Sequence, residues 1–417
     1  MQRPYWFGTS VFVGRWVIPA LLATAAQMPG QVRMVGSGPN GAVNIYNSDL
    51  AVFESGETRK DLPCTVTQSK PTLGFDLRFH AGYEVTVPLS DLAGSENMLS
   101  ILFRVAPANH RDDPVYFTQH IRVPLLEQDA KGDAYLQGAF DVGEGDYHVD
   151  WLMRDRAERV CSSSWDSEAA LSSKDKAMSL AIAPGVISRA DNEQFKEEPP
   201  IQRTSTDPLL NVKVLVNFAP QNSLSAALQP LDTAALVSIL RSLVREPRIG
   251  KFSIIAFNMQ EQRVVYRQED ADRIDFPALG EALRNLNLGT VDLKRLGEKH
   301  GDTEFLTSLV RTEIGGHPQE HPDALIFAGP KVMLDANVPS DALKDASDID
   351  FPVFYMNYNL NPQLIPWKDA ISHTVRFLRG YEYTITRPRD LWFAVSEMVS
   401  RIVKSRNGRQ AAAISSQ

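Results

Sequence analysis

The sequence predicts two folded units: an all-β sandwich over residues 71–187 and an open, mostly parallel α/β sheet flanked by helices over residues 210–404. Three observations support this division. Apolar and polar residues alternate with period two in the first unit, which is typical of strands with one buried face. Short apolar runs alternate with helical stripes in the second unit, which is typical of strands covered by helices. Residues 188–209 are polar, charged and proline-containing, which predicts a linker.

The strands of the α/β unit are predicted where short runs are apolar on both faces. Four runs have this character, at residues 211–218, 252–257, 324–327 and 353–356. Residues 262–267 follow the second run closely, which predicts an antiparallel edge strand after a tight hairpin. Residues 381–386 predict a last strand.

Three apolar stripes at helical spacing predict helices that lie on this sheet. The stripes comprise Leu236, Ile239, Leu240, Leu243 and Val244; Trp367, Ile371, Val375 and Leu378; and Leu391, Trp392, Val395, Val399 and Ile402. Pro247 ends the first stripe and Gly380 ends the second, whereas Pro388 begins the third.

The first unit carries the alternation of a half-buried sheet. Tyr147, Val149, Trp151 and Met153 share this pattern, so Trp151 is predicted to lie in the core. Turns rich in Gly, Pro and Asp separate such stretches, which favours a β-sandwich, and the entry to the Tyr147 strand resembles that of immunoglobulin-like modules. Residues 26–70 form an N-terminal segment ahead of this unit.

Residues 1–25 have the organisation of a secretory signal peptide. Arg3 and Arg15 supply positive charge, and residues 16–26 supply a short apolar run with an Ala-x-Ala pattern near its end. A membrane-spanning helix needs about twenty uninterrupted apolar residues, and this run is shorter. We therefore expect an exported protein, periplasmic or extracellular, that does not span the membrane once the signal is removed.

The charge balance argues against one class of partner. Lys and Arg number 43 against 51 Asp and Glu, which gives a formal net charge of -8, and removal of Arg3 and Arg15 takes it to about -10 (-8 minus 2). Such a chain lacks the net positive charge that is typical of proteins that bind nucleic acid. Residues 405–417, basic and then rich in Ala and Ser, predict a disordered tail.

The chain contains two cysteines, Cys64 and Cys161. In a cytosolic protein they would be buried thiols, whereas in an oxidising compartment they can form one disulfide. The enclosed loop of 97 residues (161 minus 64) would stabilise the fold by on the order of 4 to 5 kcal/mol in the chain-entropy model.

Residues 210–404 resemble a von Willebrand factor type A domain, and the closest likeness is to exported bacterial proteins with a divergent copy of it. Much of the resemblance lies in residues 248–309, where GKFSIIAFNMQEQRVVYR precedes the segments FPALGEALRNL and HGDTEFLTSLV. The resemblance implies an open α/β sheet and a role in binding proteins or surface components.

The metal-ion-dependent adhesion site of that family uses Asp-x-Ser-x-Ser after the first strand, a Thr that opens a middle helix, and an Asp after the fourth strand. The matching positions hold Asn217, Ala219, Gln221, Thr303 and Ala328. Magnesium favours six hard oxygen ligands that usually include a carboxylate, and alanine supplies no oxygen. We therefore expect a degenerate site, with no metal and no cofactor.

In an open α/β sheet, the loops that leave the first and fourth strands frame a crevice where the strand order reverses. The candidates for a ligand-binding face there are Asn217, Gln221, Asn222, Leu224, Thr303, Lys331 and Met333. We expect a partner to dock through apolar and neutral polar contacts. The alternative is that this face no longer binds a partner and that binding takes place on the β-sandwich or at the domain junction.

These observations predict an exported, non-enzymatic protein-binding or scaffolding protein, with no catalytic residue and a protein or cell-envelope component as its partner. One alternative is a hydrolase with a site at the domain junction, built from Cys161 or from His300, His317 and His321. Another is a carbohydrate-binding envelope protein that uses aromatic side chains of the sandwich. The fold does not decide among them.

Overall fold

The computed structural model describes residues 35–36, 45–94, 97–191, 193–203, 209–221, 225, 227–284, 286, 301–315, 321–332, 338–346, 349–363 and 368–415. The predicted signal peptide lies outside these residues. Among them, no helix combines the length and the apolar character that crossing a membrane requires.

The described residues up to 189 form two antiparallel sheets and two helices. In chain order the elements are β1 (Val35–Gly36), α1 (Asn47–Ser55), β2 (Thr65–Leu73), β3 (Phe79–Pro88), α2 (Leu89–Leu92), β4 (Asn97–Pro107), β5 (Val115–Val123), β6 (Asp133–Val142), β7 (Gly145–Arg154), β8 (Val160–Ala169) and β9 (Ile187–Arg189). One sheet has the strand order β1-β5-β4-β7-β8, and the other has the order β2-β3-β6-β9.

Residues from both antiparallel sheets contribute to one hydrophobic core. The ring of Tyr83 in β3 lies 5.4 Å from those of Phe103 in β4 and Trp151 in β7, centroid to centroid. Its hydroxyl donates to Oε1 of Gln119 in β5 at 2.9 Å. Trp151 is fully buried, as the alternation predicted. The period of the sequence thus identified the inward face of these strands.

A disulfide joins Cys64 to Cys161, with Cα atoms 6.3 Å apart, which confirms the predicted pairing. Cys64 precedes β2 and Cys161 lies in β8, so the bond links the two antiparallel sheets. Leu62, within the segment assigned ahead of the sandwich, is fully buried in the same core. The N-terminal segment is therefore partly built into the antiparallel sheets rather than separate from them.

The remaining described residues form a six-stranded mixed sheet with helices on both faces. Its elements are β10 (Leu210–Asn217), α3 (Pro230–Val244), β11 (Ile249–Asn258), β12 (Arg263–Ala271), α4 (Phe276–Arg284), α5 (Gly301–Gly315), β13 (Ala324–Pro330), a 3-10 helix (Ser340–Ala346), β14 (Val353–Tyr358), α6 (Ala370–Phe377), β15 (Tyr381–Ile385) and α7 (Pro388–Ser415). The strand order is β12-β11-β10-β13-β14-β15, with β12 antiparallel and the other pairs parallel. The predicted α/β class and the antiparallel edge strand are confirmed.

Successive residues of the central strand serve two different cores. Val214 packs with side chains of α3, α4 and α7 on one face, and Leu215 packs with side chains of α5 and α6 on the other. Side chains of a strand alternate between faces, so a strand covered on both sides must be largely apolar, and the buried Lys213 of β10 is paired with Glu313 of α5 at 3.4 Å. This explains why the α/β strands appear in the sequence as continuous apolar runs.

The segment predicted to be a linker is packed against the α/β unit where it is described. The Glu198 carboxylate contacts both Arg241, at 2.7 Å, and Arg245, at 3.0 Å, on α3. Phe195 packs so closely on Gly280 of α4 that a Cβ at Gly280 would lie 2.6 Å from its ring. One aromatic residue and one carboxylate that pairs with two arginines thus hold a segment whose overall composition is polar.

The antiparallel sheets contact the α/β unit through the turn between β2 and β3. Phe75 in that turn meets the buried ring of Tyr358 edge-on, with centroids 6.1 Å apart. Asp175 adds an ion pair to Arg389 of α7 at 3.5 Å. These contacts join the two parts of the chain on the face of the mixed sheet that α3 and α7 cover.

The C-terminal helix corrects the predicted disordered tail, because α7 continues to Ser415. Two of its basic residues hold it to the loop before β13: Arg406 and Arg409 contact the Asp323 carboxylate at 3.7 and 3.2 Å. No local pattern in the sequence indicates that this carboxylate, more than eighty residues earlier in the chain, lies beside them.

A charge cluster stabilises the β2–β3 turn that contacts Tyr358. His80 forms hydrogen bonds through Nδ1 to Asp141 at 2.8 Å and through Nε2 to Asp76 at 3.0 Å. These two bonds, that to Asp141 foremost, raise the pKa of His80 from 6.5 to about 10. The ring is therefore an imidazolium that donates to both carboxylates at neutral pH.

We expect the free energy of unfolding to decrease between pH 6.5 and about 10 because of His80. Its folded-state pKa lies above the unfolded value, so its contribution is complete below pH 6.5 and is lost as the pH rises through the folded value. Urea unfolding at a series of pH values measures this slope, and His80→Gln should flatten it. His110→Gln, which removes an exposed histidine, is the control. An unchanged slope in His80→Gln would contradict the assignment.

Candidate functional site

The strand order of the mixed sheet reverses between β10 and β13, so the carboxyl ends of these strands diverge into different loops. Four buried asparagines lie at this edge and are here called the asparagine crest: Asn217 at the end of β10, Asn258 at the end of β11, and Asn357 and Asn359 at the end of β14. The crest is the candidate site because ligands of open α/β sheets gather at this edge.

Asn217 lies at the switch point itself. Its Oδ1 accepts a hydrogen bond from the backbone N–H of Met259 at 3.2 Å. Gly329, at the end of β13 with φ 151°, approaches so closely that an added Cβ would lie 2.8 Å from the Asn217 Cβ. Within the described residues, the Nδ2 of Asn217 has no hydrogen-bond partner. The side chain is therefore both a structural tie and a buried donor at the crest.

Asn258 ties the ends of β10 and β11 together. Its Nδ2 donates to the carbonyl of Phe218 at 2.6 Å, and its Oδ1 accepts from the N–H of Glu261 at 2.7 Å. One amide thus supplies both a donor and an acceptor to backbone groups of two different loops. This arrangement fixes the chain as it leaves each strand.

Asn359 forms a similar tie on the other side of β13. Its Oδ1 accepts from Nε2 of Gln221 at 3.3 Å and from the N–H of Asn361 at 3.2 Å. The neighbouring Asn357 donates from Nδ2 to Oε1 of Glu382 at 3.2 Å. The contact with Gln221 connects the loop after β10 to the loop after β14.

Two buried carboxylates hold the loops that frame the crest. Asp369 accepts from the N–H of Val332 at 2.6 Å and from the N–H of Ser372 at 2.9 Å, so it joins the loop after β13 to α6. Burial raises the pKa of Asp232 in α3, and hydrogen bonds from the backbone of Gln221 and Gln229 oppose that shift. Both carboxylates are committed to anchoring backbone.

The structure brings together some of the sequence-predicted residues. Asn217 and Gln221 lie in the crest and in its ties, and Lys331 is half-buried directly after β13. Thr303 is buried in the first turn of α5. Three of the predicted candidates, namely Asn222, Leu224 and Met333, lie outside the described residues.

The donor set at the crest is neutral. Ala219 and Ala328 are buried and supply no oxygen, and the Oδ1 atoms of Asn217, Asn258 and Asn359 already accept backbone or side-chain hydrogen bonds. Among the residues that the structure describes, no three His, Cys, Asp or Glu side chains are grouped as metal ligands. The residues described at the crest therefore form a buried network of neutral hydrogen bonds and suit a divalent cation poorly, because such a cation favours carboxylates.

Sequence reasoning missed Asn258, Asn357 and Asn359. The signal that could have found them is an asparagine at the end of each of three buried apolar runs. A polar residue in such a position must be satisfied by hydrogen bonds when it is buried. The position of an asparagine at a strand end does not identify its hydrogen-bond partners, so the sequence could not indicate which loops these amides join.

One of the candidate catalytic residues for a hydrolase at the domain junction, Cys161, is not available as a nucleophile. Cys161 is in the disulfide and has no free thiol. His321 is exposed, and His300 and His317 lie outside the described residues. The junction does contain a cavity of about 360 Å³, whose described lining includes Phe75 and Trp392 but neither His nor Cys.

No family model matches the chain, and no curated protein matches it. Three solved structures align weakly. Northeast Structural Genomics Consortium target SoR45 shares 8% identity at TM-score 0.17, over 28% of this chain and 95% of its own. The PilB minor pilin from Streptococcus sanguinis shares 8% identity at TM-score 0.25, over 72% of this chain and 87% of its own. A Bacteroides uniformis β-glucuronidase shares 9% identity at TM-score 0.18, over 76% of this chain and 38% of its own, so this chain spans well under half of that enzyme. Such likeness identifies neither family nor activity.

Replacing Asn258 by alanine should destabilise the α/β unit. The change leaves the Phe218 carbonyl and the Glu261 N–H without their partner, at a cost of about 2 to 4 kcal/mol. Urea unfolding monitored by circular dichroism measures the loss. Asn407→Ala, at an exposed position of α7, should change stability by no more than about 0.5 kcal/mol. Equal effects in the two variants would contradict a structural role for the crest amide.

Millimolar magnesium or manganese should leave the melting temperature unchanged. A cation that binds only the native state must raise that temperature by mass action, and the crest offers neutral amides rather than unengaged carboxylates. Thermal unfolding with either metal, compared with an EDTA-treated sample, tests the expectation. A saturable rise in melting temperature would show that the crest binds a cation after all.

Proposed function

We propose that the chain is an exported, non-enzymatic protein-binding or scaffolding protein. In this proposal its α/β unit is a divergent von Willebrand factor type A-like domain, and its antiparallel sheets form an immunoglobulin-like sandwich. The half-buried Gln221 and Lys331, together with the loop ends that the buried asparagine crest holds, make the docking face for a protein or cell-envelope partner. No bridging cation takes part.

The observation that carries this proposal is the neutral, hydrogen-bonded character of the switch point, where Asn217 and Ala328 stand at the positions for which the resemblance implies carboxylates. Hydrogen bonds from Asn217, Asn258 and Asn359 hold the loops of the crest in place. A loop set that is fixed by its own amides presents a rigid surface, and rigid surfaces bind with a smaller loss of conformational entropy.

Two further observations agree with export and with a binding role. The Cys64–Cys161 disulfide suits an oxidising compartment, where such bonds persist. Trp151 is buried, so it cannot serve as a sugar-stacking platform, which weakens the carbohydrate-binding alternative. The engagement of Cys161 in the disulfide weakens the hydrolase alternative in the same way.

A photo-crosslinking amino acid at Lys331 should capture a discrete partner in the native envelope, and EDTA should not reduce the yield. The physical reason is that the half-buried Lys331 lies beside the loop anchored by Asp369, both of whose carboxylate oxygens already accept hydrogen bonds from groups of the chain. The matched control places the same amino acid at Arg122, an exposed residue of β5. Gel analysis of the adducts measures both.

Two outcomes would contradict the proposal. Identical adduct patterns from positions 331 and 122 would indicate that the face binds no specific partner and that both positions capture proteins that happen to be nearby. Loss of the position-331 adduct in EDTA, restored by magnesium, would indicate cation-mediated docking.

A further inference from the structure

The last strand of the mixed sheet leaves an open edge. Among the described strands, β15 has β14 as its one neighbour, and four of its five residues are not buried. The exposed fractions of Tyr381 and Phe377 are 42% and 37%, so aromatic surface accompanies the edge. An unpaired strand edge is a template for backbone hydrogen bonding with another extended chain.

The direction of the backbone groups follows from one hydrogen bond. The N–H of Asn359 donates to the carbonyl of Ile385 at 3.0 Å, so Ile385 directs its backbone toward the β14 side. Backbone groups alternate in direction along a parallel strand, which places those of Glu382 and Thr384 on the open side. The edge thus offers two N–H donors and two carbonyl acceptors in register for an added strand.

A basic groove of about 880 Å³ begins where this edge begins, and its walls include Phe351, Tyr381, Arg379, Arg401 and Lys404. The Arg401 guanidinium stacks 4.1 Å above the ring of Tyr381, and its Nη2 donates to Glu397. Arg379 and Lys404 are exposed and form no ion pair with any residue that the structure describes.

The groove contrasts with the charge of the whole chain. The formal net charge is -8, yet Arg379, Arg401 and Lys404 outnumber the one acidic residue of the groove walls, Asp350, whose carboxylate contacts Arg409 at 3.4 Å. Local positive charge on an acidic protein favours an anionic occupant. The open strand edge beside it favours an occupant with peptide backbone.

We propose that β15 and this groove form a second docking site, which receives an extended acidic segment of a protein partner as an added strand. The segment pairs its backbone with Glu382 and Thr384, and its carboxylates contact Arg379 and Lys404. This mode combines backbone hydrogen bonds for affinity with side-chain contacts for specificity. The site lies at the amino ends of β14 and β15, opposite the asparagine crest, and it does not depend on the function proposed above.

A labelled peptide of alternating glutamate and valine is the probe, and fluorescence anisotropy with the full chain measures its binding. Arg379→Glu combined with Lys404→Glu should weaken binding at least about tenfold, because two attractive contacts become repulsive. Arg122→Glu combined with Lys131→Glu makes the same charge change at exposed positions of the antiparallel sheets and should alter binding by less than about twofold. Circular dichroism checks that both variants are folded.

The same peptide with N-methyl groups at alternate residues separates strand addition from simple attraction of charge. It retains every carboxylate but loses every second backbone N–H donor, so it cannot form the complete ladder of hydrogen bonds and should bind at least about tenfold more weakly. Equal binding of the two peptides, or no binding of the unmodified peptide, would overturn the proposal.

Discussion

The six-stranded sheet is buried on both of its faces, and the organisation of the α/β unit depends on this constraint. Helices α3, α4 and α7 must cover one face, and α5 and α6 must cover the other. Apart from buried exceptions such as Lys213 of β10, which pairs with Glu313, the strands can therefore present polar groups mainly at their ends and at the two edges of the sheet. Both surfaces proposed for binding lie in such places, one at the carboxyl ends of the parallel strands and the other along the open edge of β15.

The crest shows how an edge of this kind can be stabilised without a cation. A metal ion would hold several loops at once through one charged centre, at the cost of gathering carboxylates around it. Here Asn258 and Asn359 hold pairs of loops through neutral hydrogen bonds, and Asp232 and Asp369 anchor the loop ends separately. The neutral arrangement needs no counter-charge.

The antiparallel sheets and the α/β unit are held together by a few specific contacts. The change of composition along the chain predicted two units joined by a linker. In the structure, Phe195 packs on α4 and Glu198 pairs with α3, so the linker is held against the α/β unit. Phe75 of the antiparallel part contacts the ring of Tyr358. Tyr358 adjoins Asn357 and Asn359, so the contact between the two parts lies close to the crest.

The sequence by itself determined the α/β class, the strand and helix positions, the buried Trp151 and the availability of one cysteine pair, because each depends on local periodicity or on a residue count. It also located the candidate site at the ends of β10 and β13, since the topology of alternating strands and helices implies a switch point. Only the tertiary structure decided which groups occupy that site. The partners of Asn258 and Gln221 lie 40 and 138 residues away along the chain, and periodicity carries no information about such pairings. The docked connection and the extended α7 were decided in the same way, by single contacts whose energy depends on three-dimensional proximity rather than on composition.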